Sequence, residues 1–128
     1  MIFVDTSVWV AALRSDASPE ARRLVRLLDA DLVALALPVR VEILSGASVT
    51  NRVKLRRTLS SLPLFYPRES TWALIDAWVD LAGVAGEHFG FADLLIGAIA
   101  AEQGGEVWSL DSDFARMARV GLVRSHRT

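Results

Sequence analysis

Directly after Asp93 the chain runs through Leu94, Leu95, Ile96, Gly97, Ala98, Ile99, Ala100 and Ala101 without one polar side chain. A helix built from this segment has no hydrophilic side to turn toward water, so other parts of the fold have to enclose it. The segment reads as a helix from Ala92 to Glu102, closed by Gly104-Gly105. It is far shorter than the roughly 20 apolar residues of a membrane span, so the enclosure is expected to be protein. Asp93 opens the helix and is drawn toward the interior with it, where a charge needs a reason.

Strands and helices alternate around this segment. Ile2 to Val4 read as a short buried strand ending at Asp5, with Thr6 or Ser7 capping a helix that carries Val8, Trp9, Ala11, Ala12 and Leu13. Ser18-Pro19-Glu20 sets a capping hydroxyl, a proline and a first-turn acid ahead of Leu24, Val25, Leu27 and Leu28, which predicts a second helix. Leu32 to Leu37 form an apolar strand stopped at Pro38; Val39 to Leu44 begin a helix that slackens at Gly46, and a helical run through Leu55, Leu59 and Leu62 follows. Leu64 to Tyr66, between two prolines, read as a short strand, and Ser70 opens an amphipathic helix with Trp72, Leu74, Ile75, Trp78, Val79 and Leu81. Beyond the buried helix come a strand from Val107 to Leu110 ending at Asp111, a short helix from Phe114 to Val120 and a last strand at Leu122-Val123. This alternation predicts one domain over residues 1–128, an α/β sandwich around a mostly parallel sheet.

Composition narrows the function classes. With 52% hydrophobic residues the chain can bury a core, which excludes disorder. Cysteine is absent, so disulfide frameworks and thiolate zinc sites are excluded. The opening Met1-Ile2-Phe3-Val4-Asp5 has no basic stretch ahead of its first acid, which makes a cytoplasmic location the expectation. A net charge of −1 does not advertise a nucleic-acid binder. Lys54 is nevertheless the only lysine among 14 basic residues, and the arginines cluster as Arg22, Arg23 and Arg26, as Arg52, Arg56 and Arg57, and as Arg124 and Arg127. Arginine's planar fork suits phosphate, although a solvated helix face is the plainer reading of each one.

In parallel sheets ligands sit beyond the carboxyl ends of the strands. Asp5 and Asp111 fall there, while Glu42 interrupts Val39, Val41, Ile43 and Leu44, and Asp93 heads the buried helix. Like charges gathered away from water raise one another's pKa, and burial adds a desolvation penalty, so such a set persists mainly when a cation holds it. Carboxylates are hard ligands suited to Mg2+ or Mn2+, which points to metal-assisted phosphodiester hydrolysis. Each acid also has a structural alternative: Asp5 as a helix cap, Asp93 as a first-turn acid favoured by the helix dipole, Glu42 on an outward face, and Asp111 and Asp113 in a turn.

Four segments carry a resemblance that spans almost the whole chain: Asp5-Thr6-Ser7-Val8-Trp9, Val41-Glu42-Ile43-Leu44-Ser45-Gly46, Ala92-Asp93-Leu94-Leu95-Ile96-Gly97-Ala98-Ile99-Ala100 and Leu110-Asp111-Ser112-Asp113-Phe114. In this order and spacing they resemble the PIN domain, and in particular the VapC toxins of VapBC toxin–antitoxin pairs. The resemblance implies a PIN-like three-layer sandwich and an Mg2+- or Mn2+-dependent endoribonuclease. It implies that Asp5, Glu42, Asp93 and Asp111 are the catalytic acids, Asp5 and Asp93 being the first choice as metal ligands. Thr6 or Ser7 matches the assisting hydroxyl; Asp113 either shares the role of Asp111 or, the reading favoured here, caps the final helix. In-line attack by water on RNA would leave a 5′-phosphate and a 3′-hydroxyl. A homodimer and a VapB-type antitoxin are implied as partners, with Leu13, Leu27, Trp72 and Trp78 as apolar contacts, although core packing is the plainer reading of each.

Neither histidine is needed by this chemistry: His88 reads as a surface residue and His126 as part of a disordered tail. Two other classes compete. A phospho-aspartate α/β domain also places acids at strand ends, but it wants a late lysine, and only Lys54 exists. A PIN fold that binds RNA or a partner without cutting would show the loss of an acid, and all four are present.

Overall fold

The computed structural model describes residues 1–127; Thr128, the last residue of the expected domain, lies outside the described residues. The elements run β1 (Ile2–Val4), α1 (Thr6–Arg14), α2 (Pro19–Asp29), β2 (Val33–Ala36), α3 (Leu37–Ser45), α4 (Val49–Leu59), β3 (Leu64–Phe65), α5 (Glu69–Val84), α6 (Phe91–Glu102), β4 (Glu106–Trp108), α7 (Ser112–Arg119) and β5 (Arg124–Ser125). The strands form one sheet in the order β3-β2-β1-β4-β5, every pairing parallel. β1 and β2 are buried along their whole length, as strands covered on both faces by crossover helices must be. The architecture is therefore the expected α/β sandwich.

The order places β1 at the point where the chain reverses its direction of travel across the sheet: β2 and β3 lie to one side of it, β4 and β5 to the other. The connections leaving β1 and β4 diverge there and open a crevice at the carboxyl ends of the two strands. Helix α6 is enclosed as its sequence requires. Leu94 to Ala100 are all buried, and the helix packs on β2, β4, α3, α5 and α7. Its contact with α7 is tight at Gly97, where a Cβ would stand 2.8 Å from Met117 Cε and 3.0 Å from Val123 Cγ1.

Several boundaries differ from the sequence reading, each for a physical reason. Pro38 does not stop β2; it sits in the first turn of α3, where its missing N–H leaves nothing unpaired. The last strand is Arg124–Ser125 rather than Leu122-Val123, because those two residues plunge into the core and the chain reaches the β4 edge only after them. Helix α5 starts at Glu69, and Thr71 rather than Ser70 closes its start by accepting the Arg68 N–H at 2.9 Å. The tail is not loose: the His126 N–H donates to Val107 O at 2.8 Å, and its Nδ1 lies 2.9 Å from Glu106 Oε1. Trp78 is core, and Leu27 packs against the core. Leu13 and Trp72 are 54% and 45% exposed, so the core reading fails for both.

Candidate metal centre

Asp5 follows β1 and is only 6% exposed. It stands at the N-cap position of α1, yet its side chain makes no capping bond. Its Oδ2 instead accepts hydrogen bonds from Ser7 Oγ and Ser109 Oγ, both at 2.8 Å. Both hydroxyls also hold the backbone just past β4. Ser7 Oγ accepts the Leu110 N–H at 3.0 Å, and Ser109 Oγ accepts the Asp111 N–H at 2.9 Å. The ends of β1 and β4 are thereby laced together around one carboxylate. The expectation that Thr6 or Ser7 caps α1 is overturned, since the helix begins at Thr6 and both hydroxyls serve acids.

Asp93, Asp111 and Asp113 converge, each offering a carboxylate oxygen within 4.8 Å of the others. Asp93 sits in the first turn of α6. Asp111 is the N-cap of α7, its Oδ1 accepting the Asp113 N–H at 2.9 Å. This corrects the reading of Asp113 as the helix cap. The residue two places earlier has the extended backbone a cap needs, which leaves Asp113 in the first turn with its carboxylate turned into the cluster. Asp113 pairs with Arg116 one turn further along α7.

Asp5 belongs to the same electrostatic neighbourhood, because its charge is felt at Asp93. Glu42 does not join the compact cluster. It is exposed on α3 and is linked to the site through Thr6, whose Oγ1 donates to Glu42 Oε1 at 2.8 Å. Glu42 also borders two apolar grooves, one lined by Val10, Leu13, Ile43 and Leu55, the other by Leu37, Val41, Phe91 and Leu95.

The protonation pattern shows how uncomfortable this gathering is. Burial first, then the hydrogen bond with Asp113 and the charges of Asp111, Asp113 and Asp5, push Asp93 up to about 7. Asp113 goes the other way, held below the usual carboxylate range by its hydrogen bonds with Arg116 and Asp93. The donor set is made of carboxylates alone and carries excess negative charge. It fits a hard divalent cation such as Mg2+ or Mn2+, and no thiolate exists to favour a softer one.

Two contributors escaped the sequence reading. Ser109 carried a signal: a hydroxyl two places before a strand-end acid mirrors Ser7, two places after one. Arg116 carried one as well, standing three places after Asp113 on a helix, a spacing at which opposite charges meet; its second partner, Glu87, had no local signal.

Fold and donor set together define an α/β domain with an acidic pocket at the switch point of a parallel sheet. The PIN-domain family model matches residues 2–120. Ribonuclease VapC11 of Mycobacterium tuberculosis is 32% identical over 133 aligned residues, covering 94% of this chain and 93% of the relative. Ribonuclease VapC18 of the same organism is 36% identical over 126, covering 94% and 90%. The fold is similar to that in the crystal structure of VapBC2 from Rickettsia felis, with a TM-score of 0.79, 19% identity and 98% of both chains covered. The chain belongs to the PIN-domain family, alongside the VapC ribonucleases. The phospho-aspartate alternative falls with that assignment.

Proposed function

We propose that the chain, acting as one domain over residues 1–128, is an Mg2+- or Mn2+-dependent endoribonuclease and the toxin of a VapBC-type pair. The observation that carries this reading is the convergence of Asp93, Asp111 and Asp113 beside the hydroxyl-held Asp5. Asp5 and Asp93 are the leading metal ligands, Asp111 and Asp113 share the remaining positions, and Glu42 acts from the rim, directly or through water. A divalent ion held there supplies charge stabilisation for a phosphodiester and an acidified water as nucleophile. The chain's own part is to hold the acids in place. Ser7 and Ser109 fix Asp5, Thr6 fixes Glu42, and the rigid α6 presents Asp93.

The substrate in this reading is RNA. The partners are a VapB-type antitoxin, in keeping with the toxin–antitoxin complexes of similar fold, and a second copy of the chain. Leu13 and Trp72, exposed on the surface, supply apolar contacts for them. Among the described residues no helix is long and apolar enough to cross a membrane, and we place the activity in the cytoplasm. Purified protein is expected to cut RNA with Mg2+ or Mn2+, to stop with a chelator, and to leave 5′-phosphate and 3′-hydroxyl ends. Asp5→Asn is expected to abolish cutting with the fold intact by circular dichroism. A cyclic phosphate product, or full activity in that variant, overturns the proposal.

A further inference from the structure

Arg116 lies outside the group of acids yet reaches both sides of it. Its Nη2 pairs with Oδ1 of Asp113 and its Nη1 with Oε2 of Glu87. The guanidinium carbon also rests 5.0 Å from the centre of the Phe89 ring. Glu87 and Phe89 belong to the segment between α5 and α6, immediately ahead of the helix that carries Asp93. One side chain on α7 thus clamps the approach to α6 and grips a carboxylate in the first turn of its own helix. Asp113 in turn stands beside Asp93, their carboxylate oxygens within 4.8 Å of each other, so a continuous line of neighbouring polar groups runs from Glu87 through Arg116 and Asp113 to Asp93.

This arrangement needs the arginine fork. Two N–H groups in a fixed plane hold two carboxylates at a set separation, whereas an ammonium is a point charge that fixes no orientation. The three side chains are 26% to 33% exposed, so water screens the contacts only in part, and the Phe89 ring holds the guanidinium from its face.

We propose that Arg116 is a positioning residue for the cation pocket: anchored by Glu87 and Phe89, it orients Asp113, and through it Asp93, toward a shared divalent ion. The inference rests on the reading of the pocket as a cation site. A residue supplying charge alone would behave differently, since a positive charge beside the pocket repels the incoming cation and its removal would tighten binding.

Titration calorimetry of Mn2+ into the intact protein separates the two roles. Arg116→Lys keeps the charge and loses the fork; Arg116→Gln loses both; Glu87→Gln leaves Arg116 in place but loosens its anchor. For a positioning role both Arg116 variants weaken Mn2+ binding by roughly 10–100-fold, the range for groups that orient metal ligands. Glu87→Gln weakens it by a smaller factor, and circular dichroism shows an unchanged fold. Wild-type affinity in Arg116→Lys, or tighter binding in Arg116→Gln, overturns the proposal. Should Arg116→Gln fail to fold, the other two variants decide. If the wild type itself takes up no Mn2+, the cation-site reading fails; the positioning role falls alone where the wild type binds and the variants bind equally well.

Discussion

Helix α6 carries a carboxylate near each end, and the fold treats the two in opposite ways. At its C-terminal end Glu102 is surrounded by donors. Ser70 Oγ gives Oε2 a hydrogen bond at 2.6 Å, Thr71 Oγ1 donates to Oε1, and Arg68 stands 3.7 Å away. Burial alone would push this group up, but the hydroxyls of Ser70 and Thr71, with the charge of Arg68, hold it below its usual range. At the other end Asp93 is pushed up to about 7, by burial first and then by the other acids it meets. An acid given every donor it needs is part of the architecture. One left among its own kind, on the same rigid element, marks the place where something from outside completes the structure.

That contrast can be broken experimentally. The largest effect is expected for Asp93→Asn, which should abolish RNA cleavage in Mg2+ or Mn2+, whereas Glu102→Gln should leave the rate per folded molecule close to wild type. On stability the roles reverse. Glu102→Gln removes charge-assisted hydrogen bonds in a side chain only 13% exposed and should lower the unfolding free energy by about 1.5–3 kcal/mol in urea titration. Thr71→Val should fall in the same range, since the buried hydroxyl also accepts the Arg68 N–H.

A smaller effect should appear in the pH dependence of the metal-free protein. Asp93 is raised above its ordinary value, so its contribution is fully present below about pH 4 and is lost as pH climbs through about 7. Glu102 is lowered, so its contribution is present above its ordinary value of 4.5 and is lost as pH falls through the folded-state value. Melting in a chelator at about pH 5 and pH 8 should therefore show Asp93→Asn flattening the loss between them, with a higher melting temperature than wild type at the upper pH. Glu102→Gln should lower the melting temperature at both. The smallest effect is expected for Arg68→Ala, at most about 1 kcal/mol, because the arginine is 61% exposed.

Much of this was legible without coordinates. The apolar run after Asp93 demanded enclosure, and α6 is enclosed on every side. The acids after β1 and β4 were legible because a strand has to end somewhere, and in a parallel sheet its carboxyl end is where ligands meet the fold. The misreadings share a cause. Leu122-Val123 looked like a strand because apolar character reports burial, and hydrogen-bond pairing is a separate property. Asp113 looked like a cap because side-chain type alone does not say which aspartate has the extended backbone.

The amino-acid order by itself determined the alternation of elements, the buried central helix and the stock of acids at strand ends, since these follow from local patterning and from the inability of apolar segments to face water. Only the tertiary structure decided which polar groups meet. Ser109 with Asp5, Thr6 with Glu42, and Arg116 with Glu87 are contacts between residues far apart in the chain. Such pairings depend on where the sheet brings strand ends together, and no periodicity along the chain encodes that distance.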